Sequence, residues 1–366
     1  MKQQLKLKLD GKTFEVPKGT RFLELAKQFS SGYTSPILLV TLNGILHELR
    51  ATVEEEGELR FLTIRDKAGY QSYERSAILL LLAAYHKLYG ERSAAVWIDY
   101  KESGALRCRI VGRQTVMETE LARLEAEMRV LAAAAHPIEK RSVPTREAVR
   151  LFAARGMQDK AELLRFRIYS SVNLYRLGEY EDYFYGYMLP DSSYLTDFSL
   201  RPYEDGFVLC LPAQRLPVQL AAFQPSQKIF RAMEESRENL SRQKIETVGA
   251  LNARATSGKM KELILCAEAQ MEKRIGDLAE KICGRNAVRI VLIAGPSSSG
   301  KTTFARRLAT QLLALGKTPH AIEVDNYFKN RSDTPRDEKG NFDFESLGAL
   351  DVDCFNRDLN ALLRGE

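Results

Sequence analysis

Nine residues from Gly295 to Thr303, GPSSSGKTT, have the types and spacing to hold phosphate. They fit the pattern G-x-x-x-x-G-K-[ST], with Gly295, Gly300, Lys301 and Thr302 at its fixed positions. The small residues between, Pro296, Ser297, Ser298 and Ser299, let backbone amides turn inward on phosphate oxygens, and the glycines permit the close approach. Lys301 would reach the β and γ phosphates as a point charge, and Thr302 would offer its hydroxyl to Mg²⁺. Thr303 continues into a helix whose amino-terminal dipole favours an anion. A second chemical group follows in HAIEVDNYF, where Asp325 could accept the proton of an attacking hydroxyl or organise Mg²⁺.

Such a loop needs a strand to deliver it and a helix to receive it. Arg289 to Ala294 is apolar after its first residue, as a parallel strand covered on both faces should be. FARRLATQLLALG has helical spacing and stops at Gly316. The apolar run ending at Asp325 is expected as the next strand, with its tip beside the loop, because chemistry in a doubly wound sheet gathers at the strands' carboxyl ends.

Residues 287–366 resemble the uridine kinase family, related to phosphoribulokinase, through GPSSSGKTT, VDNYF and NFDFESLGALD. The resemblance implies an ATP-dependent, Mg²⁺-requiring nucleoside kinase acting on uridine or cytidine. In that reading Lys301 and Asp325 are catalytic, Asp343 holds the ribose hydroxyls, Phe342 packs near the base and Tyr327 is a weaker candidate for the pocket. A phosphoribulokinase-like sugar-phosphate kinase, an RNA-binding P-loop NTPase and an aminoacyl-tRNA hydrolase are the rival readings. A guanine-reading N-K-x-D segment is absent. The segment supplies about two strands and three helices where doubly wound sheets have around five or six strands. A carboxyl-terminally truncated chain, inactive alone, is therefore expected, or one completed by a partner.

The amino-terminal half resembles two domains of threonyl-tRNA synthetases. EVPKGT, FLELA, VTLNG and LRFLTI are similar to the TGS domain, which implies a β-grasp fold and RNA or ligand contact. SAILLLLAAYHKLYG, METELARLEAEMRVL, VPTREAVRLFAARG and VNLYRLGEYEDYFYGYMLP resemble the second additional domain, which carries that family's editing site. Where the family has an H-x-x-x-H pair, a Cys and a further His, this chain has Arg75, Leu79, Phe184 and Met188. None of these can replace an imidazole or thiolate in acid/base or ligand work, so hydrolysis is not expected. Met117, Leu121, Leu124, Met128, Leu131 and Ala135 form one apolar helical seam, and Thr145 is placed to cap the next helix, which Gly156 ends. Eight tyrosines between Tyr169 and Tyr203 suit either strand packing or base stacking.

The expected fold is therefore a multidomain α/β chain. It comprises a β-grasp TGS-like domain over 1–65, a catalytically degenerate α+β editing-like domain over 66–212, a helical connector over 213–286 and a partial P-loop doubly wound α/β kinase domain over 287–366. At 366 residues, 45% hydrophobic and 28% charged, the chain has material for several cores. The five cysteines form no C-x-x-C pair and the four histidines no ligand spacing, which argues against a disulfide framework or a metal-histidine site. A formal charge of +6 is compatible with a nucleotide without demanding nucleic acid. No apolar run reaches the ~18 residues of a membrane span, so a cytoplasmic protein without membrane partners is expected, its oligomeric state left open.

Overall fold

The structure is a computed structural model, which describes residues 3–366 apart from 91–94, 215–218, 221, 286, 297 and 339. The chain divides into two compact units, Met1–Arg254 and Ala255–Glu366.

The first unit opens with β1 (Gln4–Leu9) and β2 (Lys12–Pro17), then α1 (Phe22–Gln28), β3 (Ile37–Leu42), β4 (Ile45–Glu48) and β5 (Gly57–Thr63). QLKLKL alternates, and every second residue is buried. Leu9 pairs with Lys12, so the hairpin loop is the two residues Asp10 and Gly11, both at positive φ (49° and 82°) as a strand-compatible tight turn requires. Asn43 and Gly44 repeat the device between β3 and β4, with φ of 51° and 79°. The strands form one mixed sheet in the order β2-β1-β5-β3-β4, in which only the β1–β5 pairing is parallel. Phe22, Leu25 and Ala26 of α1 fill the core on one face of this sheet.

A long helix, α2 (Lys67–Tyr89), leads into β6 (Val96–Glu102), β7 (Ala105–Ile110), α3 (Glu118–Ala133), β8 (Ile138–Pro144), α4 (Thr145–Ala154) and α5 (Gln158–Arg165). Next come β9 (Ser171–Leu177), β10 (Tyr180–Tyr183), β11 (Ser199–Tyr203), β12 (Gly206–Cys210), α6 (Gln227–Arg242) and α7 (Val248–Thr256). Two antiparallel sheets result, β10-β9-β8 and β11-β12-β7-β6, and the largest core lies where α2 and α3 pack on them. Leu121, Leu124, Met128 and Leu131 are the buried seam of α3. Met117 and Ala135 fall outside the helix, the first exposed and the second at φ 52°, so the seam is shorter than its spacing predicts. Thr145 does not cap α4. It is the helix's first residue, and its hydroxyl donates to the Tyr169 carbonyl at 2.6 Å, because the segment entering β9 brings a nearer acceptor. Gly156, at φ 74°, follows the end of α4 as expected. The segment expected as one connector is divided: α6 lies in the first unit and α8 in the second.

The second unit holds α8 (Met260–Cys283), α9 (Lys301–Ala314) and α10 (Val352–Arg364). Ile275 and Ala279 of α8 pack on Leu308 and Leu312 of α9, with Phe304 and Ile293 at the margin. Glu272 ties the pair on the surface, meeting Arg307 at 2.8 Å. The strands expected at 289–294 and before Asp325 are not formed. The first segment is irregular and leaves Ile290, Val291 and Leu292 exposed, and the second ends in a 3-10 turn, Val324–Tyr327. A strand exists only through hydrogen bonds to a neighbour, and among the described residues of this unit neither segment has a strand beside it.

Candidate functional site

Three places gather side chains that could do chemistry. The phosphate-binding pattern leads directly into α9, whose first residue is Lys301. Gly300 precedes it at φ 83°, where a side chain would be strained, and Ser298 sits at φ 59°. A Cβ at Gly295 would lie 2.7 Å from the Ser299 hydroxyl, which is the close approach the first glycine serves. Lys301 Nζ donates to the carbonyls of Gly295 and Pro296, each at 2.9 Å, so the ammonium folds over its own loop. Thr302 and Thr303 are exposed, and Ser297 lies outside the described residues. These groups fit phosphate and, through Thr302, a magnesium ion. Among the described residues no cluster of three His, Cys, Asp or Glu could hold a metal by itself, so a phosphate would have to supply the remaining ligands.

The other residues predicted in this unit are not drawn into one pocket. Asp325 is exposed in the 3-10 turn, two residues beyond Glu323, which meets Arg306 of α9 at 3.7 Å. Tyr327 turns toward α10: its hydroxyl is 3.1 Å from Asp358 and its ring lies edge-on to Phe355. Phe342 is exposed beneath the guanidinium of Arg336 at 4.2 Å. The Asp343 carboxylate accepts from the Glu345 amide at 3.1 Å, an Asx turn that orders the loop.

In the first unit, Arg75 of α2 lies against the segment that carries Phe184 and Met188. Arg75 and Leu79 stand one turn apart on α2, and the segment after β10 brings Phe184 and Met188 to the same region of the core. Leu79 and Met188 are buried, and Phe184 packs against them from the margin. Arg75 donates through Nε and Nη2 to the Tyr187 carbonyl at 3.1 and 2.9 Å, and Ser76 accepts from the Leu189 amide at 3.0 Å. The place is thus filled by packing and by a guanidinium that anchors backbone, without a thiol or imidazole to transfer protons.

Beside it opens a cleft of about 450 Å³ whose walls include Ile78, Leu82, Trp97, Tyr183 and Phe184. Two ion pairs line it, Asp99 with Arg109 at 3.0 Å and Lys160 with the buried Asp182. Burial lifts the Asp99 carboxyl above its usual range against the pull of Arg109. Asp182 also accepts from the Tyr180 hydroxyl at 2.9 Å, and burial, with Asp182 beside it, pushes that hydroxyl well above a phenol's ordinary range. The Tyr100 hydroxyl is buried with no hydrogen-bond partner among the described residues and is pushed up to about 12 by desolvation. The hydroxyl of Tyr183, which lines the cleft, accepts from the Arg167 guanidinium at 2.6 Å, and that guanidinium lies 5.1 and 5.7 Å from the rings of Tyr169 and Tyr185, both largely exposed. The tyrosine run therefore splits: Tyr175 and Tyr203 are core, whereas Tyr169 and Tyr185 face solvent around a cation. Lys160, Asp182 and Arg167 were not singled out from sequence. The only signal was an aspartate in the middle of a tyrosine-rich strand, YEDY.

No family model matches the chain. Among curated proteins it is similar to the threonine–tRNA ligase of Thermotoga maritima, 30% identical over 199 residues that make up 54% of this chain and 30% of the relative. The threonine–tRNA ligase of Francisella tularensis subsp. novicida is 26% identical over 191 residues, covering 52% and 30%, and that of Parabacteroides distasonis 25% identical over 186 residues, covering 51% and 28%. The chain thus spans about 30% of the length of the curated relatives it matches. Half of it is threonyl-tRNA synthetase-like, and this similarity overturns the expected nucleoside kinase. The phosphotransferase class, the uridine or cytidine partner, and the sugar-phosphate kinase and P-loop NTPase alternatives are corrected with it. The structure supplies a physical reason in the unformed strand before Asp325, since that carboxylate is not presented at a sheet edge beside the loop. Among the described residues no helix is long and apolar enough to cross a membrane.

Proposed function

We propose that the first unit is a tRNA-recognition module of synthetase type, built from a β-grasp TGS-like domain and an editing-like domain that binds without hydrolysing. The observation that carries this reading is the exposed Tyr169–Arg167–Tyr185 cluster, joined through the Arg167–Tyr183 hydrogen bond to a residue that lines the Trp97 and Phe184 cleft. Exposed rings around a guanidinium are a stacking platform for unpaired bases, and a tRNA ends in an unpaired strand. The likeness to threonine–tRNA ligases supplies the choice of RNA. Arg75, Leu79, Phe184 and Met188 leave the bound end without an acid or base to cleave it.

The test is binding of the full chain to threonine-specific tRNA, intact and lacking its unpaired 3′ end, by fluorescence anisotropy. Tighter binding of the intact tRNA is expected, and Tyr169→Ala with Tyr185→Ala should cost about 1–3 kcal/mol per lost stacked base. Equal affinity for both RNAs would end the stacking proposal. Mischarged seryl-tRNA should survive incubation with the protein at the rate of the uncatalysed control.

In the second unit, the exposure of Thr302 and the reach of Lys301 across its loop support a proposal that Gly295–Thr303 takes the phosphates of ATP with Mg²⁺. Thr302 would ligate the ion, whereas Asp325, Tyr327, Phe342 and Asp343 are engaged away from the loop or exposed and are not part of this proposal.

A further inference from the structure

A second cleft of the first unit, about 860 Å³, joins residues far apart in the chain. It lies between the sheet β2-β1-β5-β3-β4 and the sheet β10-β9-β8, and its lining carries six cations, Arg21, Arg50, Lys140, Arg141, Arg155 and Arg176. Four carboxylates share it: Glu48, Glu139, Glu179 and Glu181. Two of these are consumed by the structure. Glu181 accepts from Arg141 Nε and Nη2 at 2.5 and 2.8 Å and meets Arg155 at 3.6 Å. Glu48 accepts from the Tyr175 hydroxyl at 2.6 Å and the Met188 amide at 3.0 Å, with Lys140 at 3.4 Å. Arg176 is held by Glu139 on the exposed surface.

Arg21 and Arg50 remain. Both are exposed, both line the cleft, and neither has an ion-pair partner among the described residues. Charges along β8 have an ordinary explanation, because β8 is the edge of its sheet and charged side chains discourage edge-to-edge association. That explanation does not extend to Arg21 and Arg50, which belong to the other sheet's domain and converge on the same cavity. Arginine suits phosphate in particular, since its planar fork meets two oxygens at once.

The geometry points to this cleft as a docking site for the phosphodiester backbone of RNA, with Arg21 and Arg50 as its free contacts. This rests on the proposal that the unit recognises tRNA and assigns the sequence-independent part of that recognition to a surface apart from the tyrosine cluster. Each phosphate contact releases counterions, so log K falls with log salt by about 0.7–0.9 per contact. Losing two contacts should lower that slope by about 1.4–1.8 and, at 0.1 M salt, weaken binding roughly fiftyfold.

The experiment measures affinity of the full chain for threonine-specific tRNA from 0.05 to 0.4 M salt. It compares the wild type with Arg21→Ala/Arg50→Ala and with Lys6→Ala/Lys8→Ala, which removes two exposed cations of β1 outside the cleft lining. The cleft pair should show the reduced slope and the roughly fiftyfold loss, and the β1 pair should stay close to wild type. Equal losses in both pairs, or an unchanged slope in the cleft pair, would overturn the site while the tRNA reading stands. A wild type that binds tRNA no better than heparin would overturn both. Tripolyphosphate is titrated in parallel: if the cleft variant loses tripolyphosphate binding but keeps tRNA, the occupant is a free oligophosphate and the RNA assignment falls.

Discussion

Removing Glu48 should unfasten the first sheet from the sheet β10-β9-β8 and the segment that follows it. Its side chain is 13% exposed and sits in β4, yet all three of its polar partners, Tyr175, Met188 and Lys140, lie beyond residue 137. In Glu48→Ala the Met188 amide loses the acceptor it has in a buried position, which costs about 1–3 kcal/mol. The Tyr175 hydroxyl keeps the Gly186 carbonyl at 2.8 Å, so its lost charge-assisted bond falls at the low end of the ~1.5–3 kcal/mol range. Lys140 is partly exposed and adds little. The total is about 3–4 kcal/mol, and at roughly 2–4 °C per kcal/mol for a unit of this size the midpoint should fall by about 10 °C. Glu48→Gln keeps an acceptor for Tyr175 and Met188 but sets an amide donor against Lys140, and should lose about half as much. The chain has one tryptophan, Trp97 in β6, so its fluorescence reports the first unit alone. A Glu48→Ala melt within about 2 °C of wild type would refute the fastening role.

Three further outcomes are expected. Gly69→Ala, in the first turn of α2, should destabilise by more than about 2 kcal/mol although alanine favours helix, because its Cβ would lie 2.0 Å from the Thr63 carbonyl oxygen, whereas Gly276→Ala on α8, whose Cβ would meet only the Gln311 side-chain oxygen at an ordinary 3.8 Å, should stabilise by ~0.5–1 kcal/mol; helical ellipticity melts of each test the pair of signs. Lys301→Ala should abolish ATP binding in calorimetric titration with Mg²⁺ while leaving tRNA affinity unchanged, and retained ATP binding would remove the loop from consideration. Arg141 and Arg155 hold the Glu181 carboxyl below its usual range, so its stabilisation is complete above an unfolded glutamate's pKa of roughly 4.3 and is lost as pH falls through the lower folded value. Glu181→Gln should therefore be less stable at neutral pH and flatten the acid limb of the stability curve, with raised Asp99 contributing in the opposite sense in both proteins.

What could be read from the sequence followed how local its cause is. The alternation of QLKLKL, the Asp10–Gly11 and Asn43–Gly44 turns and the middle of the α3 seam, from Leu121 to Leu131, are decided within a few residues, whereas the seam's ends at Met117 and Ala135 fall outside the helix. The phosphate-binding loop is equally local, and it opens α9 at Lys301. Strands are not local. VLIA after Arg289 has every residue preference of a buried strand, yet without a described neighbour to share hydrogen bonds it stays irregular and exposed.

The two clefts were invisible for a related reason. Arg21 and Arg50 meet Lys140 and Arg176 only after α2 and four strands have folded the chain back on itself, and nothing in the spacing of those residues announces it. Arg75 shows the converse case. A residue that cannot do the chemistry of its position was legible, but what it does there, binding the Tyr187 carbonyl across 112 positions, required the fold. Identity at a site thus tells which chemistry is excluded, and the contacts tell what has taken its place. At Arg75 a fixed charge pins the segment from Tyr187 to Leu189, whose Met188 amide is in turn held by Glu48, so the Arg75 position and the cationic cleft share one stretch of backbone. Loosening either anchor should therefore be felt in both places.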